Sequence, residues 1–325
     1  MKAAILSCLR ETEGYVSGQE LCKQFGVSRS AVWKAIQKLQ KEGYEIEAVP
    51  NKGYHLLEGT VYGEAEIRSR IHTKWAGASL KYFETTTSTN LLAKQAGEEN
   101  APHGMLFVAD EQTAGRGRRG RVWESPKGSN VYFTILLRPQ MDPNKASMLT
   151  LVMAHSVAKA IERLTMKSPK IKWPNDILLD EKKVCGILTE MSAEKDYIHY
   201  VVCGVGINVQ EQEFPEEIRE KATSLESAVG AKVSKAGLLQ FIIEEFEKDY
   251  EAFITTENLA PLQESYSALL VNVDREVKIL DPKGEWEGIA RGINEEGELL
   301  VENRAGEIVT VYAGEVSVRG LKGYV

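Results

Sequence analysis

Residues 17–44 read SGQELCKQFGVSRSAVWKAIQKLQKEGY, and this stretch decides the fold of the N-terminal part of the chain. Ser17 and Ser28 each precede a helical pattern and predict two N-caps. Between them, residues 25–27 (FGV) predict a tight turn, because glycine tolerates a left-handed backbone. The stretch therefore predicts a helix-turn-helix. The apolar residues that form the buried stripe of its second helix are Val32, Ile36 and Leu39.

The other face of this second helix predicts a DNA-binding surface. Residues 17–42 carry five Lys or Arg against two Glu, although the whole chain has a net charge of −7. Residues 46–57 (IEAVPNKGYHLL) predict a β-hairpin wing with residues 50–53 at its tip, suited to contact phosphate. The predicted DNA-contacting residues are Ser28, Arg29, Ser30, Trp33, Lys34, Lys38 and Lys52. A helix-turn-helix used only for protein contacts is the alternative, and Trp33 suits either partner.

Composition limits the class of protein and its compartment. A chain of 325 residues with 43% hydrophobic side chains predicts a globular protein of two or three domains. The net negative charge argues against coating nucleic acid by bulk attraction, so DNA contact requires a local basic face. No signal peptide or membrane-spanning run is evident. The four cysteines lack a CxxC pair and a histidine at ligand spacing, which indicates reduced thiols and a cytoplasmic protein.

The rest of the chain divides into two patterns. Residues 59–67 (GTVYGEAEI) predict a boundary, with two glycines and a new helix start. From there to about residue 270, strand-like runs such as NVYFTILL alternate with helical patterns at 145–164 and 235–253, which predicts a mixed α/β or α+β domain. After residue 270, short alternating strands separated by glycine-containing turns predict a small β-barrel.

Residues 110–121 (DEQTAGRGRRGR) are the strongest candidate for chemistry. Four arginines and three glycines in the last seven residues predict a flexible loop whose backbone approaches a ligand and whose guanidiniums hold phosphate. The loop lacks the GxxxxGK[ST] pattern of a P-loop. A solvated basic loop without a ligand is the alternative interpretation.

Three further stretches are candidates for ligand binding. Residues 172–176 (KWPND), followed by Lys183, place an amine beside an amide and a carboxylate, as a nucleotide with its magnesium requires, although Pro-Asn-Asp also favours a simple turn. Residues 85–90 (TTTSTN) either donate to a neutral polar ligand or cap a helix. Gly204 and Gly206 form a lone GxG, which indicates close backbone approach to a ligand or a neighbouring strand and not a dinucleotide fold.

Together these motifs resemble the bacterial family of bifunctional biotin–protein ligases and biotin-operon repressors. The resemblance is most specific at GRGRRGR (115–121) with Trp123, then at KWPND (172–176) and KKVCGIL (182–188), all behind a winged helix-turn-helix. It implies three domains. These are a winged helix-turn-helix at 1–65, a class II synthetase-like α/β ligase domain on a mixed sheet at 66–270, and an SH3-like β-barrel at 271–325.

The resemblance also implies a two-step reaction with biotin, ATP and Mg²⁺. The biotin carboxylate attacks the α-phosphate of ATP to give biotinoyl-5′-AMP, and a lysine of a biotin carrier domain then takes the biotinoyl group. Arg118 and Lys183 are implied to hold carboxylate and phosphate as the catalytic cations. The implied binding residues for biotin and adenylate are Ser88, Thr89, Asn90, Gln112, Gly115, Arg116, Gly117, Arg118, Arg119, Arg121, Trp123, Lys172, Asn175, Asp176, Lys183, Gly186, Gly204 and Asn208. No resident metal site or permanently bound cofactor is predicted.

The implied partners are the biotin carboxyl carrier protein, operator DNA and, with biotinoyl-5′-AMP bound, a second copy of the chain. No membrane partner is expected. Three alternatives are compatible with the sequence: a lipoate ligase of the same superfamily, a regulator that senses biotin without catalysis, and a ligase whose N-terminal domain does not bind DNA.

Overall fold

The computed structural model describes residues 1–57, 59, 61–281, 284–312 and 317–320. Internal contacts divide the chain into two compact units. The first contains Met1–His72 and Ser234–Gln240, and the second contains Thr73–Val233 and Phe241–Val325. In the described part of the chain no helix combines the length and apolarity needed to cross a bilayer. The domain limits predicted after residues 65 and 270 stay predictions.

The first unit contains the helix-turn-helix that the sequence predicts. Ser17 Oγ accepts from the backbone N–H of Glu20, and Ser28 Oγ from that of Ala31, so both predicted caps form. Gly26 ends the first of these helices in the left-handed region at φ 63°. The elements of this unit before residue 72 are helices α1 (Lys2–Glu11), α2 (Gly18–Phe25) and α3 (Arg29–Lys41), strands β1 (Ile46–Val49) and β2 (Gly53–Leu56), and helix α4 (Glu64–Arg70).

The core of this unit follows from the periodicity of α3. Val32, Ile36 and Leu39 are buried as predicted and share one hydrophobic cluster with residues of α1 and α2. β1 and β2 pair in antiparallel register around a turn at residues 50–52, which is the predicted wing. The basic face of α3 is therefore left facing solvent.

The second unit is built on a mixed sheet, as predicted. In chain order its strands are β3 (Leu80–Phe83), β4 (Met105–Ala109), β5 (Asn130–Leu137), β6 (Lys170–Lys172), β7 (Asp176–Leu179), β8 (Lys182–Ala193) and β9 (Ile198–Asn208). Their spatial order is β3-β4-β5-β9-β8-β7-β6. β3 and β4 are parallel, and the remaining neighbours are antiparallel. β5 and β9 are buried over almost their whole length, so their backbone positions are fixed by neighbours on both sides.

The remaining helices are α5 (Thr89–Glu98), α6 (Met148–Thr165), α7 (Leu225–Val229), α8 (Lys235–Thr256) and α9 (Gln263–Leu269). α6 and α8 lie where the helical patterns at 145–164 and 235–253 predict them. α5 packs through Ala93 and Ala96 against Phe107, Leu136 and Val202 of the sheet. The first residues of α5 are thereby held against the strands that line the candidate site.

A five-stranded antiparallel sheet follows residue 270, in agreement with the predicted β-rich end. Its strands are β10 (Glu276–Asp281), β11 (Gly284–Ile293), β12 (Leu299–Glu302), β13 (Ile308–Val311) and β14 (Ser317–Gly320). The spatial order is β13-β12-β11-β10-β14. Trp173, which is buried, donates from Nε1 to the carbonyl of Gly297 at 3.0 Å, so the KWPND turn is bonded to the loop between β11 and β12.

Candidate active site

A small polar cavity lies where the start of α5 meets β8 and β9. It has a volume of about 50 Å³. It is lined by Ser88, Thr89, Asn90, Gln112, Arg116, Gly117, Arg118, Trp123, Asn175, Lys183, Gly186, Ile187, Leu188, Gly204, Val205 and Gly206. We call this the inner cavity. The walls contributed by α5 are hydroxyl and amide groups, which suits a ligand that is polar but uncharged at this end.

Asn90 is fixed at the floor of the inner cavity by partners on β5 and β8. Its Nδ2 donates to the Leu188 carbonyl at 3.2 Å and to Glu190 Oε2 at 2.9 Å. Its Oδ1 accepts from Thr134 Oγ1 at 2.6 Å. A Cβ atom at Gly204 would collide with that same Oδ1, so only glycine fits opposite Asn90. The Asn90 amide forms its hydrogen bonds with other protein groups, so its position is fixed and it forms the floor of the cavity.

Gln112 closes one side of the inner cavity with an equally fixed amide. Its Oε1 accepts the backbone N–H of Thr89 at 2.9 Å, and its Nε2 donates to Ser125 Oγ at 3.1 Å. Ser125 in turn donates to the carbonyl of Trp123 at 3.0 Å. Because Oε1 is bound to a backbone donor, the amide orientation is determined, and the second hydrogen of Nε2 is available for a ligand.

The indole of Trp123 stands over the glycines of the central strands. Cβ atoms at Gly186 or Gly206 would contact the ring, so the absence of side chains there makes room for it. Its Nε1 is buried and has no hydrogen-bond partner among the residues that the structure describes. Typical small-molecule pockets measure about 300–1,000 Å³. The inner cavity, at about 50 Å³, is far smaller than this range. A ligand that packs on Gly186 and Gly206 therefore has to displace the indole.

The arginine-rich loop folds back on itself beside this cavity. Arg116 and Val122 form an isolated antiparallel bridge, and a short 3-10 turn spans Arg118–Gly120. Arg119 adopts a left-handed backbone at φ 57°, which is uncommon for a residue other than glycine. Arg118 is half-buried and donates from Nη1 to Asn175 Oδ1 at 2.9 Å. Burial lowers the pKa of the Arg118 guanidinium and outweighs the opposing effect of Asp176, yet an arginine stays charged at neutral pH.

Lys183 is the second cation of the site. Its Nζ lies 2.6 Å from Asp176 Oδ1 and 5.3 Å from the centre of the Trp123 ring. Asp176 begins β7, directly after the turn that contains the cis peptide bond between Trp173 and Pro174. The KWPND motif is thus the β6–β7 turn, and it holds an acidic partner against the lysine. An anionic ligand that reaches Lys183 would compete with this carboxylate.

A larger outer cavity of about 1,220 Å³ adjoins the inner one. The residues that line both are Gln112, Gly117, Arg118, Trp123, Asn175 and Lys183. Its own walls include Lys172, Asp176, Asn208, Phe214 and Lys221. This volume is sufficient for a nucleotide, and the two cations lie at its junction with the inner cavity.

The structure brings the predicted ligand-binding residues together with one exception. Gly115 is buried under the loop and lines neither cavity. Arg119 and Arg121 line only the outer cavity and are exposed, whereas Arg116 lines the inner one. The sequence missed Ser125, Thr134 and Glu190. Thr134 could have been noticed as the one threonine in the apolar strand NVYFTILL. The sequence around Ser125 and Glu190 has no pattern that would indicate a role in the site.

The cysteines beside the site are not nucleophiles. Among the described residues all four cysteines are free. Burial raises the pKa of Cys203 to about 12 and also raises that of Cys185. A buried thiol is a poor nucleophile, because the thiolate is the reactive form. The cavities therefore offer cationic and hydrogen-bonding groups, and no thiolate for covalent catalysis.

The predicted DNA surface lies in the first unit. Every residue predicted to contact DNA is exposed, namely Ser28, Arg29, Ser30, Trp33, Lys34, Lys38 and Lys52. Trp33 retains 55% of its accessible surface. In the wing, Lys52 Nζ lies 5.6 Å from the centre of the Tyr15 ring. The positive charge of Lys52 is therefore at the tip of the wing.

Comparison with known proteins assigns a class to each part of the chain. Residues 81–208 match the biotin/lipoate A/B protein ligase family, residues 2–55 match an HTH domain, and residues 273–319 match the biotin protein ligase C terminal domain. The biotin protein ligase from Aquifex aeolicus, solved in complex with biotin and ATP, superposes with a TM-score of 0.65 at 32% identity. That match covers 75% of this chain and 99% of the Aquifex chain. The class is a ligase of this fold carrying a helix-turn-helix domain.

Full-length relatives narrow the class to one family. The chain is 41% identical over 307 residues to the bifunctional ligase/repressor BirA of Bacillus subtilis, which covers 94% of each protein. It is 33% identical over 304 residues to the protein of the same name from Escherichia coli, covering 93% of this chain and 92% of the relative. The chain therefore belongs to the bifunctional ligase/repressor family, as its motifs indicated.

Proposed function

We propose that this protein joins biotin to a lysine of a biotin carboxyl carrier protein at the expense of ATP. In the first step a carboxylate oxygen of biotin attacks the α-phosphorus, and the bond to the bridging oxygen breaks to release pyrophosphate. In the second step the lysine amine attacks the carbonyl of biotinoyl-5′-AMP, AMP leaves with the bonding electrons, and the amine loses a proton. The observation that carries the proposal is the junction of the small inner cavity, whose α5 end is lined by uncharged polar groups, with a larger outer one at two cations, Arg118 and Lys183.

The inner cavity suits the ring system of biotin. Thr89 and Gln112 present an oxygen and an N–H hydrogen to the same small space, which complements the neighbouring N–H and C=O groups of a urea. Gly186 and Gly206 leave room for the apolar sulfur-containing ring of the acid once Trp123 is displaced. The displaced indole would then cover the adenylate. Ser88, Asn90, Arg116, Gly117 and Gly204 complete this end, and the predicted contact with Gly115 would require the loop to move.

Arg118 and Lys183 supply the electrostatic part of catalysis. Two anions, a carboxylate and a triphosphate, must be brought together before the first bond can form. Cations fixed at their meeting point reduce this repulsion and stabilise the charge that builds on phosphorus. Their present partners, Asn175 and Asp176, keep both side chains directed into the junction. In this assignment, Arg119, Arg121, Lys172 and Asn208 line the nucleotide's path.

We propose that Mg²⁺ arrives with the nucleotide. In the described part of the chain, no three His, Cys, Asp or Glu side chains are grouped in a way that could hold a metal ion. Mg²⁺ usually binds through one or two carboxylates together with substrate phosphates, and there it neutralises phosphate charge. Asp176, which lines the outer cavity, is the carboxylate that would contact it.

The first unit supports a second function, specific binding to operator DNA. α3 presents Arg29 and Lys34 on an exposed face, and the wing presents Lys52. We expect alanine at Arg29 or Lys34 to weaken operator binding and to leave pyrophosphate release unchanged. A lysine that contacts phosphate would also lower the slope of log K against log salt by about one. Unchanged operator affinity in both variants would leave the domain without a DNA-binding role.

We further propose that biotinoyl-5′-AMP is the corepressor and that it promotes dimerisation. One helix-turn-helix makes few base contacts, so a two-fold dimer on a palindromic site is the expected arrangement. An adenylate that binds the dimer more tightly than the monomer must promote dimerisation by the same factor. Unmodified carrier protein consumes the adenylate and would keep the protein off DNA.

The central test measures both activities on one preparation. Purified protein is given biotin and ATP and scored for pyrophosphate release, and operator occupancy is then footprinted with and without biotin at fixed salt. The same assay with lipoate in place of biotin tests the second substrate named in the biotin/lipoate ligase family. Pyrophosphate release with lipoate alone would assign a lipoate ligase. Occupancy that responds to biotin without pyrophosphate release would assign a sensor, and release without occupancy would assign a ligase only.

A further inference from the structure

We infer that Thr134 is a specificity-determining positioning residue that makes the inner cavity accept an N–H donor. The inference rests on the proposed function and defines the substrate class within it: carboxylic acids whose far end carries an N–H group. Thr134 lies on β5, behind the inner cavity, and it is completely buried. It would act through Thr89, which lines the cavity, and not by touching the ligand.

The orientation of the Asn90 amide is determined by its hydrogen-bond partners. Its Nδ2 faces the Leu188 carbonyl and the Glu190 carboxylate, and both of these groups can only accept hydrogen bonds. The Glu190 carboxylate also accepts a hydrogen bond from Lys94 Nζ through Oε1 at 3.1 Å. The amide nitrogen must therefore point toward β8. Asn90 Oδ1 consequently points toward Thr134.

The hydroxyl of Thr134 has one hydrogen, and Asn90 determines where it goes. Asn90 Oδ1 has no hydrogen to give, so the 2.6 Å contact is a bond donated by Thr134. Thr134 Oγ1 also lies 2.8 Å from Thr89 Oγ1. With its only hydrogen already used, Thr134 must act as the acceptor in that contact. The Thr89 hydroxyl is then the donor.

Thr89 is left with acceptor capacity on the side of the cavity. Its hydrogen lies within reach of Thr134 Oγ1 at 2.8 Å and of Gln112 Oε1 at 3.2 Å, the latter also accepting the Thr89 backbone N–H, so in either arrangement the hydrogen is donated to the protein. A ligand group beside Thr89 Oγ1 must therefore supply the hydrogen. A ring N–H satisfies this requirement, whereas an ether oxygen or a dithiolane sulfur leaves the hydroxyl oxygen without a donor.

The hydrogen bonds that link Glu190, Asn90, Thr134 and Thr89 therefore set the direction of the Thr89 hydroxyl. As a result, the ligand group beside Thr89 must be a hydrogen-bond donor. Asn90, Thr134 and Thr89 are buried, so water cannot readily replace a missing partner. Sites built to hydrogen-bond a substrate reject analogues that lack the group far more strongly than apolar pockets do. The chain should accordingly distinguish biotin from acids of similar size without an N–H.

The test compares Thr134→Val, which keeps the shape of the side chain, with Thr134→Ser, which keeps the hydroxyl. The ligands are biotin and the two cyclic carbamates in which one or the other ring N–H of biotin is replaced by oxygen. Dissociation constants are measured by calorimetry on the full chain, and kcat and KM are measured by pyrophosphate release. Wild type should favour biotin over the more discriminated carbamate by at least about 10²-fold.

Thr134→Val should lower this ratio about tenfold, through weaker binding of biotin, with kcat at saturating biotin nearly unchanged. Thr134→Ser should retain the wild-type ratio. A Thr134→Val ratio within twofold of wild type, or a loss of ratio that Thr134→Ser shares, would overturn the inference.

Calorimetry separates this inference from the proposed ligase activity. Biotin binding without pyrophosphate release would contradict the ligase function, and the ratio of dissociation constants would still decide the role of Thr134. Pyrophosphate release from both carbamates as efficient as from biotin would overturn the polarity requirement while leaving the ligase intact. No binding of biotin would overturn both.

Discussion

The inner and outer ends of the active site are built in different ways. At the inner end, Thr89 and Asn90 begin helix α5, and Thr134 and Gly204 lie on central strands, so the side chains of Thr89, Asn90 and Thr134 are hydrogen-bonded to one another on regular elements. At the outer end, the arginines lie on a loop with a single 3-10 turn. A partner of Arg118 is the side chain of Asn175, which a substrate could replace.

This difference follows from the two kinds of recognition. A neutral polar ring is bound by hydrogen bonds, which depend on direction and weaken quickly when they bend. Rigid elements supply that direction. Phosphate and carboxylate are attracted by charge, which falls off slowly with distance, so a loop that moves still delivers the interaction. The same loop can close over an adenylate and later open for the carrier lysine.

The largest effect is expected from Lys183→Ala at the outer end. Without this ammonium the charge that develops on phosphorus loses one fixed cation, and adenylate formation should fall about 10²–10³-fold. Pyrophosphate release under single-turnover conditions measures it. Lys182→Ala removes a lysine that lines neither cavity and should leave the rate unchanged. A rate for Lys183→Ala within threefold of wild type would exclude the catalytic role.

Arg118→Gly should act mainly on retention of the intermediate. Losing a charge-assisted bond from the loop should accelerate escape of biotinoyl-5′-AMP at least about tenfold. The released adenylate would then acylate lysines of unrelated proteins, which blotting with streptavidin detects. Arg118→Lys keeps the charge without the planar fork and should give intermediate escape. If Arg118→Gly releases no more adenylate than wild type, Arg118 does not hold the loop closed.

Gly204→Ala tests the rigidity of the inner end. The added methyl group would collide with Asn90 Oδ1, and both partners are held on regular elements. Overpacking of this kind costs about 1–3 kcal/mol. We expect a lower midpoint of chemical denaturation and a higher KM for biotin. Gly18→Ala, where a Cβ would make an ordinary 3.6 Å contact, should not lower the midpoint. If Gly204→Ala keeps the wild-type stability and KM, the cavity floor adjusts to the added methyl group and is no more rigid than the loop.

The smallest effect is a spectroscopic one. Biotin alone, without ATP, should displace the Trp123 indole from Gly186 and Gly206 and change the tryptophan fluorescence as the ring meets water. The Trp123→Phe variant should lose that change while the other four tryptophans report as before. An identical fluorescence change in Trp123→Phe would mean that the indole does not move when biotin binds.

Local sequence determined much of this protein. Ser17, Gly26 and Ser28 fix the helix-turn-helix because caps and left-handed turns depend on neighbouring residues alone. The alternation after residue 270 predicted the antiparallel strands, and Gly and Arg between 115 and 121 predicted a loop by excluding regular structure. The motifs also indicated the family, since each ligand-contacting segment is contiguous.

Only the tertiary structure decided how these segments meet. It placed Asn90 against Glu190, one hundred residues away, and Thr134 against Thr89. It also gave Asn90, a predicted ligand-binding residue, partners on β5 and β8 at the floor of the inner cavity. No local pattern encodes such pairs, because a hydrogen bond between distant residues depends on strand register and helix placement together. The sequence therefore determined which groups the site contains, and the packing of α5 on the sheet decided which way each of them points.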